Sequence, residues 1–205
     1  MNVAVFASGG GTNFGALLEK KDSGQLHADF VLCVGNNSKA PFFDRARSRN
    51  IPCLHISPSH FTSEAEYAEK LLAALTQHGV ECIVLAGYMK KIPSEIIKLF
   101  PNKILNIHPA LLPSFGGKGL YGLHVHQAVI DYGAKISGVT VHFVDEEYDH
   151  GAVIIQRTCE VLPDDTAELL QKRVLAFEYD TYWRALEAVT SGAITVRNRR
   201  VYGIV

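Results

Sequence analysis

The chain has 205 residues, 47% hydrophobic and 20% charged, with 20 Lys and Arg against 21 Asp and Glu. This composition suits one compact domain with a real core, and a formal charge of -1 removes the bulk electrostatic drive toward nucleic acid or an anionic membrane. No apolar run approaches a membrane span, and the opening "MNVAVFASGGGTN" lacks the basic and apolar regions of a secretion signal, so a cytoplasmic protein is expected.

Short β-rich runs alternate with longer amphipathic ones. "NVAVFA" reads as a strand, "NFGALLEKK" as a helix, "DFVLCVGN" as a strand, "PFFDRARSRN" as a helix and "CLHIS" as a short strand. "SEAEYAEKLLAALTQHG" is a long helix, "ECIVLAG" a strand, "SEIIKLF" a helix and "KILNIH" a strand. Strands and helices taking turns, with few hairpin signals, predict right-handed crossovers and a parallel sheet with helices on both faces. From Ser137 two strands follow closely, joined by an acidic loop too short for a helical crossover, so they should pair antiparallel. "DDTAELLQKRVLAFEYDTYWRALEAV" predicts a long helix with Asp165 as N-cap, Glu168 closing a capping box, and Leu170, Val174 and Phe177 on one face. Gly192 follows it, and the tail "AITVRNRRVYGIV" reads as a hairpin turning at Asn198 and Arg199. The expected fold is α/β, a single Rossmann-like domain over residues 1–205, mostly parallel with antiparallel strands in its C-terminal half. Cys33, Cys53, Cys82 and Cys159 have no C-x-x-C spacing and lie in or beside apolar strands, which predicts buried thiols.

"SGGGTNFG" begins where the first strand ends and runs into the first helix, placing backbone N–H groups and the positive end of a helix dipole beside small residues. The dinucleotide fingerprint fails, because the sixth position after Gly9 is Phe14 and the second strand ends in "GNN" without an acidic residue. The Walker pattern fails too, since no lysine follows Gly15. A single phosphate held by Gly11, Thr12 and Asn13 fits; the plainer alternative is a tight turn with Thr12 or Asn13 as N-cap.

In "LNIHPALLP" an asparagine and a histidine sit two apart at a strand end, so Asn106 and His108 project from the same face. An amide donor beside an imidazole suits a developing oxyanion. A carboxylate favouring the protonated imidazole would complete such a site, and "DEEYDHG" offers Asp145, Glu146, Glu147 and Asp149. Asp149 is the candidate because Gly151 lies close by, although composition alone leaves the four open. No metal is expected: His124 and His126 flank one residue and diverge on a helix, with no third ligand suitably spaced.

"ASGGGTN", "VLAGYMKKI", "ILNIHPALLP", "VTVHFVDEEYDHGAVIIQ" and "RVLAFEYDTY" occur in the order and nearly the spacing of the folate-dependent glycinamide ribonucleotide transformylases of purine biosynthesis, and the chain resembles them over its whole length. The resemblance implies the formyltransferase fold. It implies transfer of a formyl group from 10-formyltetrahydrofolate to the glycine amine of phosphoribosylglycinamide, both small molecules, by a monomer or homodimer with no metal. By the same resemblance Asn106, His108 and Asp149 are catalytic, Gly11, Thr12 and Asn13 hold the ribonucleotide phosphate, and Glu178 contacts the ribose. Met89, Lys90, Lys91 and Ile92, with Asn106, hold the folate, and the Leu112–Pro113 bond is expected to be cis. Two departures stand out. "SFGGKGLYGL" lengthens the segment after "LLP", where glycines suit a flap and Lys118 could meet an anion, and Glu64 replaces an arginine that in some members meets the folate tail. The alternatives are a deformylase or sugar-amine transferase using the same folate, and a nucleotide-binding module without chemistry.

Overall fold

The computed structural model describes residues 1–203; the last two residues of the expected tail hairpin, 204 and 205, lie outside the described residues. In chain order it forms β1 (Asn2–Ala7), α1 (Thr12–Asp22), β2 (Asp29–Gly35), α2 (Phe42–Arg47), β3 (Cys53–His55), a 3-10 turn (Pro58–His60), α3 (Glu64–Gln77), β4 (Cys82–Leu85), α4 (Ser94–Leu99) and β5 (Ile104–His108). Then follow α5 (Leu123–Asp131), β6 (Ile136–Phe143), β7 (Val153–Glu160), α6 (Ala167–Thr190), β8 (Ile194–Arg197) and β9 (Arg200–Gly203). The strand order is β3-β2-β1-β4-β5-β6-β7, with β8-β9 as a separate ribbon. β1 pairs parallel with β2 and β4, and β2 with β3, whereas β6 and β7 are antiparallel. This is the mixed, mostly parallel α/β sheet the sequence implies. Contacts cluster into two compact units, Met1–Leu105 and Asn106–Val205, dividing within β5.

In the first unit β1 is a continuous apolar run, Val3 to Ala7 all 0% exposed, as a strand covered on both faces requires. α3 starts in a reciprocal cap: Ser63 accepts from the Glu66 N–H, while the Glu66 carboxylate reaches back to the Thr62 N–H and hydroxyl. Tyr67, Ala68, Leu71 and Leu75 form its buried face. Cys33 and Cys82 are buried, but Cys53 is exposed, because the short edge strand β3 has a neighbour on one side only. Burial pushes the Cys82 thiol up to about 12 and Cys33 higher still, so neither supplies a thiolate nucleophile.

In the second unit α6 runs one residue past the expected end, and its cap differs. Thr166, not Asp165, is the N-cap, accepting from the Leu169 N–H. Asp165 instead takes the Leu162 N–H and a two-pronged pair from Arg173 at 2.6 and 2.8 Å, since a carboxylate facing a guanidinium fork makes stronger bonds there than to one helix amide. The stripe Leu170, Val174, Tyr182, Ala185 and Leu186 is buried, with Phe177 at its half-buried margin. The hairpin of β8 and β9 turns at Asn198 and Arg199, both at positive φ (49° and 63°), the conformation two-residue hairpins favour.

Gly138 lies where β6 passes close to β7: a Cβ built there stands 2.0 Å from the Arg157 carbonyl oxygen. Gly138→Ala is expected to cost about 1–3 kcal/mol or more, because backbone rather than a flexible side chain must move. Urea denaturation checks it, with Gly10→Ala, where the added carbon meets nothing within 4 Å, as the neutral comparison.

Candidate active site

The glycine loop leaves β1 and enters α1 through Gly11, whose φ of 63° is left-handed and whose added Cβ would come 3.0 Å from the Phe42 ring. Both facts require glycine. Gly11 is the N-cap and makes no side-chain cap bond, and Thr12 and Asn13 are the first two residues of α1, so neither of them caps the turn. Arg45, which sequence reasoning missed, donates from Nε to the Gly10 carbonyl at 3.0 Å and brings a cation to the loop. A contact 35 residues apart in the chain leaves no local signal.

Ser8 ties this loop to the segment that follows β4. Its N–H donates to the Gly87 carbonyl, and its hydroxyl oxygen accepts from the Met89 N–H at 2.8 Å. In that segment Met89, Lys90 and Lys91 are exposed and Ile92 is buried. Lys90, Lys91, Glu64 and Tyr67 line one cavity of about 350 Å³ at the start of α3. The departure at residue 64 therefore faces the same space as the two lysines.

The polar pair at the end of β5 finds its carboxylate. Asn106 Nδ2 lies 3.3 Å from Asp149 Oδ1, His108 Nδ1 3.6 Å from Asp149 Oδ2, and the Gly117 N–H donates to Asp149 Oδ2 at 2.9 Å. Of the four acids left open, Asp149 is the one brought to the imidazole; Asp145 turns instead to His150 and to the Glu147 N–H. Gly151 is indispensable to this approach, since a Cβ there would stand 1.9 Å from the Phe143 carbonyl oxygen.

A fourth member, His142 on β6, did not figure in the sequence reading. Its Nε2 lies 3.2 Å from Asn106 Nδ2 and 3.6 Å from Asp149 Oδ1. The strand register shifts between Val141 and His142, a bulge of the kind that re-aims side chains beside active sites. Strand periodicity alone hides it. Carbonyl oxygens only accept, so His142 Nδ1–H donates to the Phe143 carbonyl and His108 Nε2–H to the Phe115 carbonyl, each at 2.8 Å. With that proton on Nδ1, His142 Nε2 accepts from Asn106, whose two amide hydrogens are thereby shared between His142 and Asp149.

The cluster is largely dry: His108 is 4% exposed and His142 1%. Burial pushes the His108 pKa down more than the Asp149 charge lifts it, so the expected carboxylate-stabilised imidazolium is corrected to a ring that stays neutral near pH 7. It remains a donor, because its proton sits on Nε2. Burial pushes Asp149 up, but the His142 contact and the Gly117 N–H, with the His108 charge once acid has protonated that ring, hold its carboxyl below the usual range. Leu112–Pro113 is cis, and Glu178 is buried within the apolar stripe of α6 at 8% exposure. Lys118 is exposed on the segment that also supplies the Phe115 carbonyl and Gly117 N–H.

The formyl transferase family profile matches residues 1–186. The chain is 45% identical over 200 residues to the chloroplastic phosphoribosylglycinamide formyltransferase of Arabidopsis thaliana, spanning 95% of this chain and 67% of that one. It is 35% identical over 179 residues to the phosphoribosylglycinamide formyltransferase of Bacillus subtilis (strain 168), spanning 87% of this chain and 89% of that one. The crystal structure of glycinamide ribonucleotide transformylase 1 from Symbiobacterium toebii matches with a TM-score of 0.93 at 34% identity, covering 100% of this chain and 94% of that one.

Behind the cluster, His126 of α5 is 1% exposed, and its Nδ1 has no partner among the described residues. Burial, with repulsion from His108, pushes its pKa from 6.5 down to about 4. The unfolded chain therefore takes up a proton first as pH falls below 6.5, and stability is lost between 6.5 and about 4. Denaturant midpoints should show wild type losing about 2–3 kcal/mol relative to His126→Phe between pH 7 and pH 4.5. Parallel pH profiles for the two proteins would contradict this.

Proposed function

The chain belongs to the formyl transferase family, and we propose that it transfers the formyl group of 10-formyltetrahydrofolate to the glycine amine of 5'-phosphoribosylglycinamide in purine biosynthesis. The observation that carries this reading is the convergence of Asn106, His108 and Asp149 on one largely buried spot. The plainest arrangement is one formyltransferase domain running through both compact units, acting in the cytoplasm as a monomer or homodimer.

The neutral amine attacks the formyl carbon, and negative charge gathers on the formyl oxygen as the new C–N bond forms. Asn106 and the Nε2–H of His108 are the donors for that oxygen, each contributing on the order of 10²- to 10³-fold by oxyanion-hole precedent. In the resting site these donors are occupied by Asp149, His142 and the Phe115 carbonyl at distances up to 3.3 Å, so the developing charge replaces protein partners rather than water. Asp149, held ionised, takes the amine proton; collapse of the intermediate breaks the bond from carbon to the folate nitrogen, which receives that proton. No covalent enzyme intermediate is needed, and both substrates must be bound together.

Gly11, Thr12 and Asn13 anchor the ribonucleotide phosphate, and the Arg45 cation beside Gly10 supports an anion there. Glu178, a buried carboxylate, suits a ribose hydroxyl. Met89, Lys90, Lys91 and Ile92 hold the folate, with Lys90 and Lys91 supplying cations in a cavity where Glu64 opposes one more anionic charge.

Incubation with both substrates should produce the absorbance of deformylated folate only when both are present, with sequential kinetics. His108→Ala and Asp149→Asn are expected to lower kcat about 10²- to 10⁴-fold while leaving ribonucleotide affinity within a few fold. Substitutions of Thr12 or Asn13 should raise the ribonucleotide KM instead. Release of formate without phosphoribosylglycinamide would make the protein a deformylase, and loss of ribonucleotide binding in the His108 and Asp149 variants would make those residues structural.

A further inference from the structure

The loop that carries Asp149, residues 144–151, is held in an unfavourable shape. Asp149 has a φ of 53°, left-handed for a residue that is not glycine, and Gly151 follows where no Cβ fits. Such a conformation persists only where its surroundings over-determine it. Within the loop, Asp145 does part of this, with Oδ1 accepting from the Glu147 N–H at 2.9 Å and Oδ2 from His150 Nδ1 at 2.8 Å. That bond fixes the His150 tautomer and leaves Nε2 as an acceptor. Arg199 fills it from outside the loop: Nη1 donates to His150 Nε2 at 2.8 Å and Nη2 to the His150 carbonyl.

Two further facts make this contact more than a surface pairing. Arg199 sits at the tip of the β8–β9 hairpin with a φ of 63°, so the turn accepts a strained arginine where glycine would be the easy residue. His150 is the immediate neighbour of Asp149, and the guanidinium grips its backbone as well as its ring. A cation is also the group an acidic "DEEYDH" loop most needs. The hairpin lies beyond residue 186, where the family match ends.

We propose that the β8–β9 hairpin belongs to the catalytic apparatus: Arg199, clamping His150, is a positioning residue that keeps the 144–151 backbone in the conformation aiming Asp149 at His108 and Asn106. The inference rests on the formyl-transfer reading for its kinetic consequences, though not for its structural one.

The test uses the full chain. Arg199→Ala is expected to lower kcat about tenfold, the loss of one to two charge-assisted hydrogen bonds, with the ribonucleotide KM within twofold. In an Asp149→Asn background the same change should cost less than twofold, because its effect passes through that carboxylate. Amide hydrogen exchange, read without substrate, should show protection at residues 149–151 falling about tenfold in Arg199→Ala. Unchanged turnover, an equal loss in both backgrounds, or unchanged exchange would each overturn the proposal. A wild type without formyl transfer would sink the functional reading alone, and the exchange measurement would still decide the clamp.

Discussion

Everything in the candidate site turns on keeping one carboxylate ionised in a mostly dry place. Asp149 has a side chain only 12% exposed, and an isolated charge there would be expelled or neutralised. Its cost is offset by two donors, the Asn106 amide and the Gly117 N–H. The groups around it come from three pieces of chain, namely the end of β5, the segment after the cis proline, and β6 at its bulge. The fold's local oddities concentrate there for that reason. Gly151 and the left-handed Asp149 let backbones approach closely enough for the groups to meet.

The same network explains why His108 is tuned as it is. With burial outweighing the carboxylate, His108 rests neutral, yet its proton is committed to Nε2 by the Phe115 carbonyl, so a donor is ready without a resident positive charge. A neutral donor pair beside an ionised base can stabilise an oxyanion and accept an amine proton in one step. A permanently charged imidazolium would instead tighten its hold on Asp149 and weaken it as a base. Both hydrogens of the Asn106 amide are shared between His142 and Asp149, which orients the group before any ligand arrives.

Much of this was legible in the sequence, and the limits are instructive. Alternating apolar runs located the parallel strands because buried strands such as Val3 to Ala7 tolerate nothing else. The i, i+2 spacing of Asn106 and His108 placed two polar heads on one face, and the motif "ILNIHPALLP" carried the resemblance that selected Asp149 from four acids. The helix cap was misplaced to Asp165 because Arg173, two turns into α6, competes for that carboxylate from a distance no cap rule considers. Cys53 was misjudged because apolar flanks do not reveal that β3 is an edge strand. His142 escaped because a register shift redirected it, and Arg45 and Arg199 because each acts on chain far away in sequence.

The account stands or falls on the charge state of one group. Carbon-13 NMR of labelled aspartate carboxyls, titrated across acid pH in the folded protein, reads it directly. A midpoint for Asp149 below the usual 3.8 is the expected result, with the carboxylate held by its donors against its own burial. A midpoint raised toward neutral pH would mean that desolvation wins, leaving a protonated acid where the proposed chemistry requires an anion.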